Sequence, residues 1–247
     1  MASTKNASTA AQSLADRAYQ EIRAMILDLR LLPGQTILIE ELAEQLGMSR
    51  TPVREAVTRL TTSVEGLVTM VPRKGIVVTI PTVEGMREIY EIVQALEGQA
   101  VKLAISRVDE ETLAALAASV DDQEAALAAD DIDGWTQADR RFHHLLVDAA
   151  RNRRLGELVR LFDGQLHRTR VATARLRPNL AESTRDHRAI LDALHARDVA
   201  RAVAVHSAHR ERALHELLQV VADYSALVLR AAAQNVVAAD VSSGEHP

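Results

Sequence analysis

The sequence predicts a mainly α-helical protein with two parts. The first is a small N-terminal domain of three helices and a β-hairpin, and the second is an all-α antiparallel bundle of six or seven helices. The 247-residue chain is rich in Ala, Leu, Arg and Glu and contains only ten glycines and six prolines, which favours helices. Four prolines fall between positions 33 and 81, whereas all nine histidines lie at or after His143. This uneven distribution indicates two domains that meet near Pro81.

These shifts in composition divide the chain into four segments. We expect a flexible arm over 1–14, a DNA-binding domain over 15–80, a helical metal- and effector-binding domain over 81–223, and a C-terminal helix or frayed tail over 224–247. The absence of cysteine excludes disulfides, cysteine-ligated zinc, iron–sulfur clusters and thiol catalysis. No apolar run approaches the roughly 18 residues of a spanning helix, and the N-terminus lacks a signal peptide. We therefore expect a soluble, cytoplasmic protein that does not bind membranes.

The first domain begins with three predicted helices. Apolar residues at three- and four-residue spacing predict a helix over 14–31, which Leu32-Pro33-Gly34 ends. A second helix over 39–46 is followed by Gly47, a residue that commonly closes a helix. Ser49 can cap a third helix, SRTPVREAVTRL, whose predicted buried residues are Val53, Ala56, Val57 and Leu60. Arg50, Thr51 and Arg54 fall on its exposed N-terminal side.

A β-hairpin is predicted next. Two β-branched runs, 67–71 and 76–80, flank the basic turn Pro72-Arg73-Lys74-Gly75. Two short helices joined by a tight turn, the second led by arginines, indicate a helix-turn-helix, and the hairpin is its wing. The net charge of −5 argues against nucleic-acid binding over the whole surface but allows a local basic patch. The order of these elements favours sequence-specific binding to double-stranded DNA.

This stretch resembles the winged-helix domain of GntR-type transcriptional regulators, most specifically in LAEQLGMSRTPVREA. The resemblance implies that Arg50, Thr51 and Arg54 face DNA. It places Gly75 at the wing tip near the minor groove, beside the basic Lys74. Arg59, near the end of the same helix, is expected to meet a phosphate. Two departures are visible: Glu40 stands where some members carry a DNA-contacting arginine, and the connector Thr61–Val64 is about two residues longer than usual.

The sequence of the second domain predicts successive helices and contains no alternating pattern typical of strands. The predicted helical segments are 82–106, 109–130, 134–150, 153–177, 183–196 and 198–222. Its chemically informative feature is a set of histidines and one carboxylate. Asp139 and His143 stand one helical turn apart, His187 begins a later helix, and His206 and His209 lie three apart on the next. Helical bundles assemble metal sites from such residues, but spacing alone leaves scattered surface or core histidines as the alternative.

The region 85–220 resembles the FCD ligand-sensing domain of the FadR branch of these regulators. The resemblance rests on IYEIVQALEGQAVKLA, DRRFHHLLVDAARNRRL and ESTRDHRAILDALHARDVARAVAVHSAHR. It implies a divalent metal bound by Asp139, His143, His187 and His209, with His206 in a position that is usually apolar. Imidazole and carboxylate ligands suit Zn, Ni, Co, Fe or Mn, and the sequence does not choose among them.

The resemblance also implies a small carboxylate effector, although Val93 stands where the family often has an arginine that holds the carboxylate. Gln94 lies one residue further, about 100° round the helix. Three arginines are candidates for a replacement cation: Arg140, Arg168 and Arg170.

Together these features predict a transcriptional regulator, in the commoner mode a repressor, and not an enzyme. A homodimer would bind an inverted-repeat operator, and an effector in the helical domain would control that binding. One alternative is a regulator in which metal occupancy is itself the signal. The other is a metal-dependent hydrolase, which would not need an arginine-led recognition helix.

Overall fold

The computed structural model describes residues 13–72, 75–176 and 179–243. Side chains are described as far as Asp223, except that of Ala172. The chain separates into two compact units, one up to Thr79 and one from Ile80 onward. Lys74 and most of the predicted N-terminal arm lie outside the described residues.

The N-terminal unit contains three helices and a three-stranded antiparallel sheet. In chain order the elements are α1 (Leu14–Leu27), β1 (Thr36–Ile37), α2 (Ile39–Leu46), α3 (Arg50–Thr62), β2 (Val68–Val71) and β3 (Gly75–Val78). The sheet order is β1-β3-β2. This is the predicted winged helix-turn-helix, and the prediction of its fold class is confirmed.

One strand of this unit was not predicted, and the predicted end of one helix was wrong. Strand β1 has only two residues, so it has no periodicity and exists only through its pairing with β3. Helix α1 ends at Leu27 rather than at 31, since the chain turns through Leu29 (φ 56°) and thereby buries Leu31. Ser49 occupies the N-cap position of α3, but its hydroxyl accepts no capping hydrogen bond.

One apolar core joins the three helices to the sheet. It includes Ile22 and Ile26 of α1, Leu42 of α2, and Val57 and Leu60 of α3. All four residues of α3 that were predicted to be buried are buried. Because this face of α3 is fixed in the core, its arginine-bearing face points to solvent.

The C-terminal unit consists of six α-helices and one short 3-10 turn among the described residues. The helices are α4 (Val83–Arg107), α5 (Glu110–Ala128), α6 (Ile132–Ala149), α7 (Arg153–Thr173), α8 (Leu180–His195) and α9 (Val199–Ser243), with the 3-10 turn at Ala174–Leu176. The predicted bundle of six or seven helices is therefore confirmed. Helix α9 does not end at 222 but continues to Ser243, since neither glycine nor proline occurs between these positions.

The histidine-bearing helices α6, α8 and α9 are held together by two others. Helix α4 packs against both α6 and α9, helix α5 packs against both α6 and α8, and α8 also contacts α9. The largest apolar core of this unit includes Val101, Leu116, Phe142, Ile190 and Ala202, one from each of these five helices. None of the helices over the described residues is both long and apolar enough to cross a membrane.

Gly75→Ala should destabilise the N-terminal unit. Gly75 has φ +89°, and an added Cβ would lie 2.4 Å from the carbonyl oxygen of Ile37 in β1. We expect the free energy of unfolding to fall by roughly 1–3 kcal/mol, measured by urea denaturation. Gly66→Ala is the matched control, because Gly66 also has a positive φ but no atom within 4 Å of the added Cβ. Equal losses in both variants would show that the contact with β1 imposes no constraint.

Candidate functional site

The exposed face of α3 forms the candidate DNA-binding surface. Arg50, Thr51 and Arg54 are exposed in its first turns. With Glu55, Thr58 and Arg59 they line a shallow surface groove along the helix. The structure therefore brings the predicted base-reading residues together on one face. Gly75, predicted at the wing tip, is the first residue of β3 and pairs with Val71 of β2.

Two arginines of this surface already have acidic partners. Arg50 Nη1 lies 3.3 Å from Glu40 Oε1 of α2, and both side chains are exposed, so the pair is weak and Arg50 can leave it. Arg59 Nη1 donates to Asp16 Oδ1 of α1 at 2.6 Å, and its guanidinium lies 4.5 Å from the centre of the Tyr19 ring. Hydrogen bonds from Ser13 and Arg59 lower the pKa of Asp16. Arg59 thus connects α3 to α1.

Three buried imidazoles converge inside the helical bundle. His143 of α6, His187 of α8 and His209 of α9 each offer a nitrogen within 4.8 Å of the others. His187 Nε2 and His209 Nε2 are 3.3 Å apart. Asp139 borders the group, with its Oδ1 at 3.7 Å from His143 Nε2 and 3.9 Å from His187 Nε2. The ring of Phe142 stacks on that of His187 at 4.2 Å between centroids and holds it in place.

The hydrogen bonds of two imidazoles determine which nitrogens face the centre as acceptors. His187 Nδ1 donates to Gln123 Oε1 at 2.8 Å, and His209 Nδ1 donates to Asp186 Oδ2 at 3.2 Å. In neutral rings the two Nε2 atoms are then unprotonated, and their lone pairs face each other. Metal-bound histidines commonly have such outer acceptors on the second nitrogen. A cation between the two Nε2 atoms would relieve their repulsion, so these residues fit a metal ion.

The three imidazoles are neutral in the absence of metal. Burial, followed by the nearby Arg210 charge, lowers the pKa of His143 to about 4. Burial and the His143 ring hold the pKa of His187 well below its usual range. Burial and the His187 ring do the same for His209. Neutral imidazole is the form that binds metal, so protons compete weakly at this site.

Two buried ion pairs flank the imidazoles. Arg170 Nη1 of α7 lies 3.3 Å from Asp139 Oδ2. Burial alone would raise the pKa of Asp139, but Arg170 and His143 hold it well below its usual range. On the other side, Arg210 of α9 donates through Nε and Nη2 to Glu97 Oε2 of α4, which also contacts His206 Nε2 at 3.1 Å. His206 therefore faces Glu97 and not the group of three imidazoles.

Several buried polar atoms around the imidazoles have no hydrogen-bond partner among the described residues. They are Gln123 Nε2, Asp139 Oδ2, His143 Nε2 and Arg210 Nη1. An unsatisfied buried polar group costs roughly 1–3 kcal/mol, so a bound group that contacted these atoms would stabilise the site.

The predicted effector-binding residues lie on three helices, α4, α6 and α7. Arg140 is engaged with Asp163 of α7, to which its Nε donates at 3.2 Å. Arg168 is buried on α7, and Gln94 is half-buried on α4. Val93 is buried among apolar residues of α4, α7 and α9. Arg170 contacts the predicted metal ligand Asp139.

Sequence reasoning missed four polar residues that contact the imidazoles: Glu97, Gln123, Asp186 and Arg210. A signal existed for two of them. Glu97 lies four residues after Val93, and Arg210 lies four residues after His206, so each shares a helix face with a residue that was considered. Gln123 could not have been found, because nothing in its own segment distinguishes the face of α5 that meets α8.

Comparison with known proteins identifies the family of each of the two units. Residues 14–78 match the bacterial regulatory proteins of the gntR family, and residues 88–212 match the FCD domain. The chain belongs to the GntR family. An HTH-type transcriptional regulator from the TAR-I ttuE-ttuC′ intergenic region of Agrobacterium vitis is 43% identical over 136 residues, covering 54% of this chain and 78% of the relative. The regulator YdhC of Bacillus subtilis is 32% identical over 176 residues, covering 70% and 77%.

A solved structure shows the same fold. McbR/YncC of Escherichia coli superposes with a TM-score of 0.71 at 24% identity, covering 84% of this chain and 98% of that one. Members of the GntR family are DNA-binding transcriptional regulators and not enzymes, so the hydrolase alternative is set aside.

The metal-free protein should lose stability as the pH falls from about 6.5 toward 4. The folded-state pKa values of the three imidazoles lie below the unfolded value near 6.5, so the unfolded chain takes up protons first. Each such group contributes a slope of about 1.4 kcal/mol per pH unit within this window. Urea denaturation with a chelator at pH 7, 6 and 5 measures it, with fluorescence of the buried Trp135 as the probe.

The contribution of one ring can be isolated. His143→Gln should reduce the change in the free energy of unfolding with pH by the contribution of one imidazole. His215→Gln, at an exposed position of α9, should leave this pH dependence unchanged. An unchanged slope in His143→Gln would contradict the lowered pKa of that ring.

Proposed function

We propose that this GntR-family regulator is a repressor whose operator binding is controlled by a carboxylate effector at a metal ion in the helical bundle. The metal ligands are Asp139, His143, His187 and His209. The metal is Zn, Ni, Co, Fe or Mn, which suit imidazole and carboxylate ligands. The observation that carries this proposal is the pair of unprotonated Nε2 atoms of His187 and His209, which face each other at 3.3 Å.

The coordination chemistry leaves room for the effector. Four protein ligands do not fill the shell of a metal that prefers five or six, and zinc can also expand beyond four. An effector carboxylate can take the open positions. When bound, the metal supplies a Lewis-acidic contact for that carboxylate.

The electrostatic balance of the site also favours an anion. The carboxylates of Asp139 and Glu97 are already paired with the guanidinium groups of Arg170 and Arg210. A divalent cation added to these buried pairs leaves excess positive charge in a region of low dielectric constant. A carboxylate compensates this charge, so metal and effector binding should support each other.

Exposed apolar side chains support the proposed homodimer. Ile92 of α4 and Leu158 and Leu161 of α7 are exposed, and the two helices pack against each other. Burial of such side chains is typical of a protein interface. Two copies related by a two-fold axis would present two α3 helices to an inverted-repeat operator. We propose that the regulator acts in the cytoplasm, where the chromosome of a bacterium lies.

The role of α3 is tested by comparing three arginine variants. Arg50→Ala or Arg54→Ala should weaken operator binding by roughly 1–3 kcal/mol while affecting unrelated DNA less, since a base contact carries the specificity. Arg59→Ala should lower affinity for both DNAs alike, as expected for a phosphate contact. Fluorescence anisotropy with a selected operator and a scrambled duplex measures this. Unchanged operator affinity in both the Arg50 and Arg54 variants would contradict the assignment of α3.

The metal ligands are tested by two neighbouring histidines of α9. The full chain should bind about one divalent metal ion, as measured by elemental analysis after chelation and reconstitution. His209→Ala should lose the metal, because its Nε2 faces the centre. His206→Ala should keep the metal, because His206 contacts Glu97. The reverse result would refute the assignment, and a stoichiometry near zero in the unmodified chain would refute the metal site itself.

A further inference from the structure

Arg210 is a buried cation that its partners do not fully satisfy. Its side chain is 1% exposed, and its Nε and Nη2 donate to Glu97 Oε2. Its Nη1 has no hydrogen-bond partner among the described residues. A buried guanidinium normally uses its donors on carboxylates or other acceptors, because desolvation without compensation is costly. The unused donors of Arg210 therefore lie in the same buried polar cluster as the candidate metal ligands.

Arg210 also contacts His143 in a way that metal binding must change. Its Nη2 lies 3.1 Å from His143 Nδ1, and since arginine only donates, that nitrogen accepts. The neutral ring then carries its proton on Nε2, the atom nearest to Asp139. Coordination of a metal through Nε2 requires the proton on Nδ1 instead. Two donors would then face each other, and Arg210 Nη2 would have to leave His143.

Glu97 offers an alternative partner for the rearranged ring. Its Oε2 lies 3.9 Å from His143 Nδ1. After a small shift, this oxygen can accept a hydrogen bond from the protonated Nδ1. Carboxylate acceptors on the second nitrogen of a metal-bound histidine are common. This exchange frees one N–H of Nη2 beside the unused N–H groups of Nη1, while Nε and the other N–H of Nη2 still donate to Glu97 Oε2. A carboxylate is the group that fits such a fork.

We propose that Arg210 is the cationic contact for the effector carboxylate and becomes available when the metal binds. This inference rests on the proposed metal and effector site and names the residue that replaces an arginine at position 93. Arg140 is engaged with Asp163, and Arg170 faces Asp139, so neither is released by the change at His143. Arg210 therefore couples metal occupancy to anion recognition.

The test uses the full chain reconstituted with Co²⁺ and titrated with acetate, the simplest carboxylate. The visible absorption of Co²⁺ reports acetate at the metal, and calorimetry gives its affinity. Arg210→Gln should keep about one Co²⁺ per chain and bind acetate about tenfold more weakly or worse, because a charge-assisted contact is lost. Arg160→Gln is the control and should bind acetate with unchanged affinity, because Arg160 is exposed and pairs with the exposed Asp148.

A second variant has an effect of opposite sign. Glu97→Gln removes the carboxylate that neutralises Arg210 but retains a side-chain acceptor for His143, so acetate should bind several-fold more tightly. Acetate should also raise the Tm of Glu97→Gln more than that of the unmodified chain. If Arg210→Gln does not fold, the Glu97→Gln variant tests the proposal by itself. Unchanged or weaker binding of acetate to Glu97→Gln would then overturn the proposal.

The remaining outcomes separate this inference from the proposed function. If acetate binds equally well to the unmodified chain and to Arg210→Gln, the role of Arg210 is refuted while the metal-mediated effector site stands. If Arg210→Gln folds but loses Co²⁺, Arg210 positions His143 and does not bind the anion. If acetate changes neither the spectrum nor the heat of the unmodified Co²⁺ protein, the proposed effector site itself is refuted.

Discussion

The C-terminal bundle depends on keeping ionisable groups paired where water cannot reach them. Two carboxylates, two guanidinium groups and three imidazoles lie between its helices, and each carboxylate has its own arginine. Removal of one partner would leave a buried charge uncompensated, at a typical cost of about 3–5 kcal/mol. The relative positions of α4, α6, α7 and α9 are therefore constrained by polar contacts as well as by apolar packing, and so are the positions of the candidate metal ligands.

Much of the fold could be predicted from periodicity and chain breakers. The helices of both units, the hairpin and the buried face of α3 follow from apolar spacing, since burial of that face decides the orientation of each element. Two features could not be predicted in this way. Strand β1 exists through pairing with β3, and the turn at Leu29 replaces helix because it buries Leu31. Both depend on contacts between segments, which a local pattern does not contain.

The residues of the candidate site could be predicted from the sequence only in part, for the same reason. Asp139, His143, His187 and His209 could be chosen because they carry the chemistry and because the family resemblance pairs them. Their partners Glu97, Gln123 and Asp186 carry ordinary polar side chains on helices that are rich in such residues. Only the packing of α4, α5 and α8 selects which of these reach the imidazoles. Tautomers, and hence the direction in which a lone pair points, follow from these partners.

The link between α3 and α1 has a consequence for the ionic strength dependence of DNA binding. Arg59 is held by Asp16 at 2.6 Å in the protein without DNA. A phosphate that takes Nη1 of this guanidinium displaces the carboxylate, which then attracts a cation from solution. The cation released from the DNA at that phosphate is thus offset by one taken up at Asp16. Arg59 would then strengthen DNA binding at low salt concentration. It would contribute little to the loss of affinity for DNA as the salt concentration increases.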